Sequence, residues 1–236
     1  MKYVIGNFKM NLTYDEVLEY INYFKNKKYS NAIFAPSNIY LDVFRKSGLT
    51  TASQDVSCFN DGAYTGDVSA SQLKSMGINY SIIGHSERRK YYRDDELVNE
   101  KMKRLMENGI TPILCIGESR EERELGKEKE VTSKEIDDAF LNIDKSFLKN
   151  IIIAYEPIWS IGTGLIPNNK QIYEIISHIK KYTNEKYGFI PCVLYGGSVN
   201  NKCIEELEKI DNVDGYLVGG CSLKYLEFEK LIKSVK

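Results

Sequence analysis

The sequence is short of cysteines and has no long apolar run, and each shortage argues against a class of protein. Its 236 residues include five cysteines, an odd number without a C-x-x-C spacing. Free thiols in a reducing cytosol are the simplest interpretation, and we expect no metal site. No apolar run approaches the roughly 18 residues of a membrane-spanning helix, and residues 1–10 lack a signal-peptide core. These features predict a cytoplasmic protein.

An excess of charge of one sign is also missing. The chain has 32 Lys and Arg against 33 Asp and Glu, which gives a formal net charge of -1. A balanced surface exerts no bulk attraction on nucleic acids or anionic membranes, so neither is predicted as a partner. With 42% hydrophobic residues the chain can bury a sizeable core. Its length lies in the range where α/β barrels form one domain.

Short apolar runs alternate with helical patterns along the chain. We predict strands near residues 4–6, 32–35, 51–53, 80–83, 112–115, 151–154, 192–194 and 215–218. Apolar stripes at helical spacing comprise Val17, Leu18, Ile21 and Phe24; Val98, Met102 and Leu105; and Ile172, Ile175, Ile176 and Ile179. Thr13-x-x-Glu16 indicates a capping box at the first helix. The charged stretch 118–130 is expected to be a solvated loop or helix face.

Roughly eight β–α units in one chain predict an α/β fold, a closed parallel (β/α)8 barrel with a single domain over residues 1–236. A doubly wound open sheet is the main structural alternative. It is weakened because no G-x-G-x-x-G follows the first strand.

A carboxylate stands at the end of the sixth predicted strand. Glu156 lies between Tyr155 and Pro157 and is followed by the only tryptophan, Trp159, and by the string 162–164, Gly-Thr-Gly. A base on a rigid strand end, beside a loop with glycine, can be exposed and then covered. The alternative is an ordinary strand-to-helix turn with a solvated glutamate.

Other predicted strands end in residues with chemical groups that complement a carboxylate. The first ends in Asn7 and Lys9, the fourth in His85, Ser86 and Glu87, the seventh in Gly196, Gly197 and Ser198, and the eighth in Gly219 and Gly220. Glycine turns after the last two strands are where barrels commonly bind phosphate. Taken singly, His85 could be a core histidine, Lys9 a surface charge, and the glycines plain turns that need positive φ. Taken together, they predict a pocket for an anionic ligand.

Six segments resemble, in order and spacing, the signature segments of the triosephosphate isomerase family. They are GNFKMN from Gly6, IGHSERR from Ile83, CIGE from Cys115, AYEPIWSIGTG from Ala154, YGGSV from Tyr195 and VGG from Val218. The resemblance implies reversible interconversion of dihydroxyacetone phosphate and D-glyceraldehyde 3-phosphate, in glycolysis and gluconeogenesis. It also implies that the reaction needs no metal or organic cofactor.

The resemblance further implies residue roles. Glu156 would be the base, and neutral His85 would donate a hydrogen bond to the enediolate oxygen, a pairing for which this family is the standard illustration. Lys9 would supply positive charge, with Asn7 as a polar partner. Glu87 would pair with Lys9, and Ser86 would hydrogen-bond near Glu156. Asn7 and Lys9 would also bind the substrate. The phosphate would be bound mainly through the backbone N–H groups of Gly162, Ser198, Gly219 and Gly220.

The resemblance also implies one segment that moves over the ligand and one segment that binds a second subunit. Residues 157–167 would close over the ligand, because an enediol phosphate in water can eliminate phosphate. Tyr155, Glu118 and Trp159 would exchange hydrogen bonds as this lid moves. Segment 54–67 resembles the loop that inserts into the partner subunit of a homodimer, with Thr65 reaching toward the other active site.

Some positions depart from the family pattern. Asp67 and Asp94 stand where glutamates are usual, and Asp55 adds a possible charge to the dimer loop. Cys221, usually alanine, would put a thiol beside the phosphate site. Pro167 has no N–H, so we predict that the lid latch implied for Tyr195 is missing or shifted.

Two alternative functions fit parts of the pattern. An aldolase would use Lys9 for a Schiff base, which requires a lysine desolvated in an apolar pocket. A catalytically silent barrel would only bind phosphates or partner proteins. Because Glu156, His85 and Lys9 are all present, the isomerase is favoured over both.

Overall fold

The computed structural model describes residues 2–161 and 167–235. Within these ranges, eight parallel strands form one sheet in the order β2-β1-β8-β7-β6-β5-β4-β3. The strands are β1 Tyr3–Asn7, β2 Ala32–Ala35, β3 Ala52–Ser53, β4 Tyr80–Ile83, β5 Thr111–Ile116, β6 Ile152–Tyr155, β7 Cys192–Tyr195 and β8 Gly215–Val218. A parallel bridge from Phe34 to Thr51 joins the two outer strands of this order. The predicted (β/α)8 barrel is confirmed, and the open sheet is wrong.

Helices connect successive strands. They are α1 Tyr14–Phe24, α2 Leu41–Lys46, α3 Ala70–Ser75, α4 Ser86–Tyr92, α5 Val98–Glu107, α6 Arg120–Glu124, α7 Glu128–Phe140, α8 Asn169–Tyr187, α9 Ile204–Leu207 and α10 Tyr225–Ser234. Short 3-10 turns lie at Asn38–Tyr40, Asp94–Glu96, Leu148–Asn150, Ile158–Ser160 and Gly220–Leu223. No described helix combines the length and apolarity needed to cross a membrane.

Apolar side chains of the strands divide between two cores. Ile5, Ile82, Ile113 and Leu217 point into the barrel, while Val4, Ile83, Leu114 and Val218 pack against the surrounding helices. Successive strand residues face opposite sides, so a strand buried on both sides reads as a continuous apolar run. This is why all eight strands could be predicted to within one or two residues at their ends.

The first helix shows one error in the predicted stripes. Its buried residues are Val17, Tyr20, Ile21 and Phe24, whereas Leu18 is 43% exposed. Tyr20 lies three residues after Val17 and four before Phe24, so it shares the buried face with both, whereas Leu18 lies at the edge of that face. The capping box is present, with the Thr13 N–H donating to the Glu16 carboxylate at 2.7 Å.

The charged stretch 118–130 is only partly as expected. It forms α6 and the start of α7, with exposed residues such as Arg120 and Glu121. Glu118, however, is fully buried at the end of β5. Its position beyond the last strand residue places it inside the ring of loops that follow the strands.

Candidate active site

A pocket of about 250 Å³ opens at the carboxyl ends of the strands. Seven of the predicted site residues line it: Asn7, Lys9, His85, Glu156, Ser198, Gly219 and Gly220. They come from the ends of β1, β4, β6, β7 and β8, which the closed barrel brings to one face. Gly162 lies outside the described residues.

Glu156 follows β6 and is held in the pocket wall. Its backbone N–H donates to the Ile116 carbonyl at 2.7 Å, and only 3% of the residue is exposed. Its Oε1 atom lies 3.3 Å from Nε2 of His85, while the backbone N–H of Ser86 approaches Oε2 at 3.5 Å. The alternative of a solvated glutamate is therefore wrong, and Ser86 contacts Glu156 through its main chain.

Close approach explains the glycines around Glu156. A Cβ atom on Gly117 would lie 1.9 Å from the Glu156 carbonyl oxygen, and one on Gly196 would lie 2.9 Å from its Cγ atom. A Cβ on Gly197 would lie 2.2 Å from the Tyr195 hydroxyl. Neither Gly196 nor Gly197 has positive φ. The explanation as plain turns that need positive φ is therefore wrong, since any side chain here would displace the base or its neighbours.

His85 immediately precedes helix α4, and its ring caps that helix. Its Nδ1 atom accepts the backbone N–H of Glu87 at 3.2 Å. An accepting Nδ1 leaves the proton of a neutral imidazole on Nε2. That nitrogen faces Glu156 in the pocket, so His85 can act there as a hydrogen-bond donor. It is buried, but it is not merely a core histidine.

Lys9 is fixed by both its backbone and its side chain. It has φ of +53°, a conformation uncommon outside glycine. Its N–H donates to the Asn7 side chain at 3.0 Å, and its carbonyl accepts from Ser37 at 3.0 Å and Gln54 at 2.8 Å. Its ammonium lies 2.7 Å from the Glu87 carboxylate. A paired ammonium lacks the apolar surroundings that a Schiff-base lysine needs.

The far end of the pocket consists mostly of backbone and small side chains. Gly219 lies beside Lys9, and an added Cβ would make an ordinary van der Waals contact with the lysine Cε at 3.6 Å. Gly220 begins a 3-10 turn, whose first N–H groups have no partner within the turn. The Ser198 hydroxyl donates to the Ser160 carbonyl at 2.7 Å. Cys221 also lines the pocket, and burial raises the pKa of its thiol.

Glu118 is a shared acceptor beside the start of the predicted lid. The Tyr155 hydroxyl donates to its Oε1 atom at 3.0 Å and the Trp159 indole at 2.9 Å. Burial raises the pKa of Glu118, and these two donors oppose that shift. The middle of the lid, residues 162–166, lies outside the described residues.

The predicted dimer loop presents an aromatic pair on its surface. Phe59 and Tyr64 stack with ring centroids 4.1 Å apart and are 45% and 44% exposed. Thr65, next to them, is exposed. At the base of the loop, Asp55 is already paired, because both its oxygens lie 2.8 Å from the Lys101 ammonium.

Sequence reasoning missed several residues that hold the site. Lys101 and Glu135 lie in amphipathic helices among other charged residues, where no local pattern marks them as buried partners. Arg89 is different, because it lies in the IGHSERR segment and that position could have marked it. Among the residues that the structure describes, no group of three or more His, Cys, Asp or Glu could hold a metal ion.

Comparison with known proteins agrees with this geometry. The family model described as triosephosphate isomerase matches residues 2–235. A triosephosphate isomerase of Mycoplasmopsis pulmonis is 41% identical over 244 residues, which cover 97% of this chain and 96% of that protein. One of Malacoplasma penetrans is 40% identical, with 98% of each covered, and one of Alkaliphilus oremlandii is 37% identical, with 97% of each covered. The chain therefore belongs to the triosephosphate isomerase family.

Proposed function

We propose that this chain interconverts dihydroxyacetone phosphate and D-glyceraldehyde 3-phosphate, since its relatives are named as triosephosphate isomerases. The observation that carries the proposal is the 3.3 Å approach of Glu156 Oε1 to His85 Nε2 in a pocket that also holds Lys9. A carboxylate, an imidazole N–H and an ammonium are the groups that proton transfer next to a carbonyl requires.

Glu156 acts as the base. It removes a proton from the carbon beside the carbonyl, and the electron pair of that C–H bond forms the C=C bond of the enediolate. The carbonyl π pair moves to its oxygen at the same time. Transfer of the hydroxyl proton of the neighbouring carbon to that oxygen, with return of the carbon-bound proton to the former carbonyl carbon, gives the isomer, so atoms and electrons balance without a cofactor. Burial of Glu156 at 3% exposure keeps water from competing for the proton.

His85 and Lys9 stabilise the intermediate. The Nε2–H of His85 donates to the oxygen on which negative charge develops, while its Nδ1 stays bonded to the Glu87 N–H. Lys9 offers its ammonium to the phosphate and the enediolate, and Glu87 and Asn7 hold it in place. Gly219, Gly220 and Ser198 are proposed to bind the phosphate, and Gly162 remains a prediction.

The active assembly is proposed to be a homodimer in the cytoplasm, each subunit a single barrel domain. The exposed stack of Phe59 and Tyr64 supports this, since such aromatic area is costly in water. A groove of about 540 Å³ borders the site and is lined by Met10, Tyr91 and Tyr92 as well as His85. Loop 54–67 of a second copy is proposed to occupy this groove, and a triose phosphate is the substrate partner.

The test is an isomerase assay of the purified protein on D-glyceraldehyde 3-phosphate beside Glu156→Gln. Loss of the base should lower kcat by about 10³-fold, whereas Glu205→Gln, an exposed glutamate, should leave it unchanged. Covalent trapping of a ketose phosphate on Lys9 by borohydride would favour the aldolase instead. An inactive, folded wild-type dimer would favour the silent barrel.

A further inference from the structure

A second, much smaller cavity adjoins Glu156 outside the substrate pocket. It measures about 10 Å³ and is lined by Gly84, Arg89, Cys115, Gly117, Glu135 and Glu156, among others. Two carboxyl groups therefore share this space: the proposed base and a glutamate of helix α7. None of the roles proposed so far uses Glu135.

One oxygen of Glu135 accepts a hydrogen bond from the end of β5, and the other faces a cation of helix α4. Oε2 accepts the backbone N–H of Gly117 at 2.8 Å, and Oε1 lies 3.5 Å from an Nη atom of Arg89. The Glu135 side chain is 16% exposed and that of Arg89 12%. A contact this well shielded from water restricts both partners.

Arg89 joins the ends of two strands. Its Nε–H donates to the Gly84 carbonyl at 2.7 Å, and an Nη–H donates to the Cys115 carbonyl at 3.1 Å. Gly84 directly precedes His85, and Cys115 lies in β5 two residues before Gly117. The guanidinium lies 2.6 Å from the exposed Asp95 on one side and 3.5 Å from Glu135 on its shielded side, and it fixes the backbone that presents His85.

Gly117, the second group that Glu135 contacts, packs directly against the backbone of the proposed base, Glu156. A Cβ atom there would lie 1.9 Å from the Glu156 carbonyl oxygen, so the two backbones touch. The Glu156 N–H also donates to Ile116, the residue before Gly117, at 2.7 Å. A shift of Gly117 must therefore move the backbone that carries the proposed base.

We propose that Glu135 is a positioning residue for the reaction proposed above: its carboxylate holds Gly117 and Arg89 and thereby sets the distance between Glu156 and His85. As a carboxylate, Glu135 offers an acceptor to each partner. A protonated Glu135 keeps only one oxygen that is a good acceptor. The other oxygen carries the proton, so Arg89 faces an O–H group or a weak acceptor. The alignment of base and electrophile is then looser.

The groups around Glu135 make this change accessible near neutral pH. Burial raises its pKa to about 7, with Arg89 and the Gly117 N–H opposing the shift. Acidic neighbours, Asp95 after α4 and Glu122 in α6, raise it further. Cys115 in β5 and Lys134 in α7 also interact with it. A pKa of about 7 shifts Glu135 toward the carboxylate at pH 8 and toward the protonated form at pH 6.

Glu135→Gln tests the proposal, because glutamine resembles the protonated carboxyl group in shape and in hydrogen bonding. The ratio of the variant's kcat to the wild-type kcat, each expressed per folded molecule, is measured at pH 6 and at pH 8. Ionisation of the substrate affects both proteins equally and cancels in this ratio. We expect a ratio close to one at pH 6. At pH 8 it should fall by about tenfold, less than a full 1 Å misplacement costs. Glu130→Gln, an exposed change in the same helix, should keep a ratio of one at both pH values.

The outcomes separate this role from the proposed function. An active wild type whose ratio for Glu135→Gln is equal at the two pH values, or higher at pH 8, overturns the positioning role alone. The positioning role is also overturned if Glu130→Gln shows the same pH-dependent loss. A folded wild type without isomerase activity overturns the proposed function and this role with it.

Discussion

The Nε2 atom of His85 lies 3.3 Å from a carboxylate oxygen of Glu156, although the two residues follow different strands, β4 and β6. Both side chains are almost fully buried at the mouth of the barrel. The His85 ring is oriented by the Glu87 N–H at 3.2 Å from Nδ1. This pair is the centre of the proposed chemistry.

Replacing His85 by glutamine should lower kcat by about 10²-fold or more, because one oriented donor to the developing oxyanion is lost. The variant is compared with His178→Gln in the same isomerase assay. His178 is the only other histidine and contacts Ser133 and the Lys129 carbonyl in α7, away from the site. Equal activities of the two variants would contradict the role given to His85.

Replacing Tyr195 by phenylalanine should change kcat by no more than about twofold, because no hydrogen bond is lost. The Tyr195 and Ser160 hydroxyls are buried beside each other, and neither has a hydrogen bond of standard geometry among the described residues. Pro167 has no N–H to offer at the far end of the lid. A large loss of turnover would show that Tyr195 gains a partner when the lid closes.

Tyr155→Phe is the matched comparison for Tyr195→Phe. The Tyr155 hydroxyl is equally buried but donates to Glu118 at 3.0 Å. Its removal takes a donor from a buried carboxylate, which costs about 1–3 kcal/mol. We expect lower thermal stability for this variant than for Tyr195→Phe.

Replacing Lys101 by methionine should destabilise the fold by about 3–5 kcal/mol, measured by urea unfolding, because the buried carboxylate of Asp94 loses its closest cation. The Lys101 ammonium lies 2.8 Å from Asp55 and 2.6 Å from Asp94, which is fully buried. Arg88 provides a second cation, 2.9 Å from Asp55. The charge that Asp55 adds is thus neutralised inside the subunit.

Two further variants make this prediction specific. Asp55→Asn should cost about 1 kcal/mol or less, because Asp94 still pairs with Lys101. Lys103→Met, in the same helix but on its more exposed side, should have little effect. If Lys101→Met proves as mild as Lys103→Met, the buried network does not stabilise the fold.

Glu229 should make the stability of the fold depend on pH in the acidic range. Burial alone would raise its pKa, but hydrogen bonds from Lys27, Tyr23, Tyr29 and Lys233 hold the pKa well below its usual range. A carboxylate with a lowered pKa stabilises the fold above its unfolded pKa, about 4.5. That contribution is lost as the pH falls toward the folded value.

The measurement is the melting temperature of wild type and Glu229→Gln between pH 3 and pH 7. The variant should be less stable at pH 7, and the difference should shrink below about pH 4.5. Glu19→Gln, an exposed change in α1, should show no such trend. A difference that is constant with pH would rule out ionisation of Glu229 as its source.

Local sequence was sufficient for the strands and for most helix faces. Each barrel strand is buried on both sides, so it appears as an apolar run such as Ile151–Ile153. Leu18 was misplaced because a stripe in the sequence does not say which edge of the helix faces the core. The left-handed backbone of Lys9 was not predictable either, since lysine gives no signal for positive φ.

The residues of the proposed site were predictable because strand ends meet at one face of any closed parallel barrel. The partners that hold them were not. Contacts such as Glu135 with Arg89, or Lys101 with Asp55, join helices to elements far away in the chain. Only closure of the barrel decides such pairs, because a charged residue on an amphipathic helix looks the same whether solvent or a buried carboxylate faces it. The sequence alone determined the barrel and its chemical groups, and tertiary packing decided their distances and their supports.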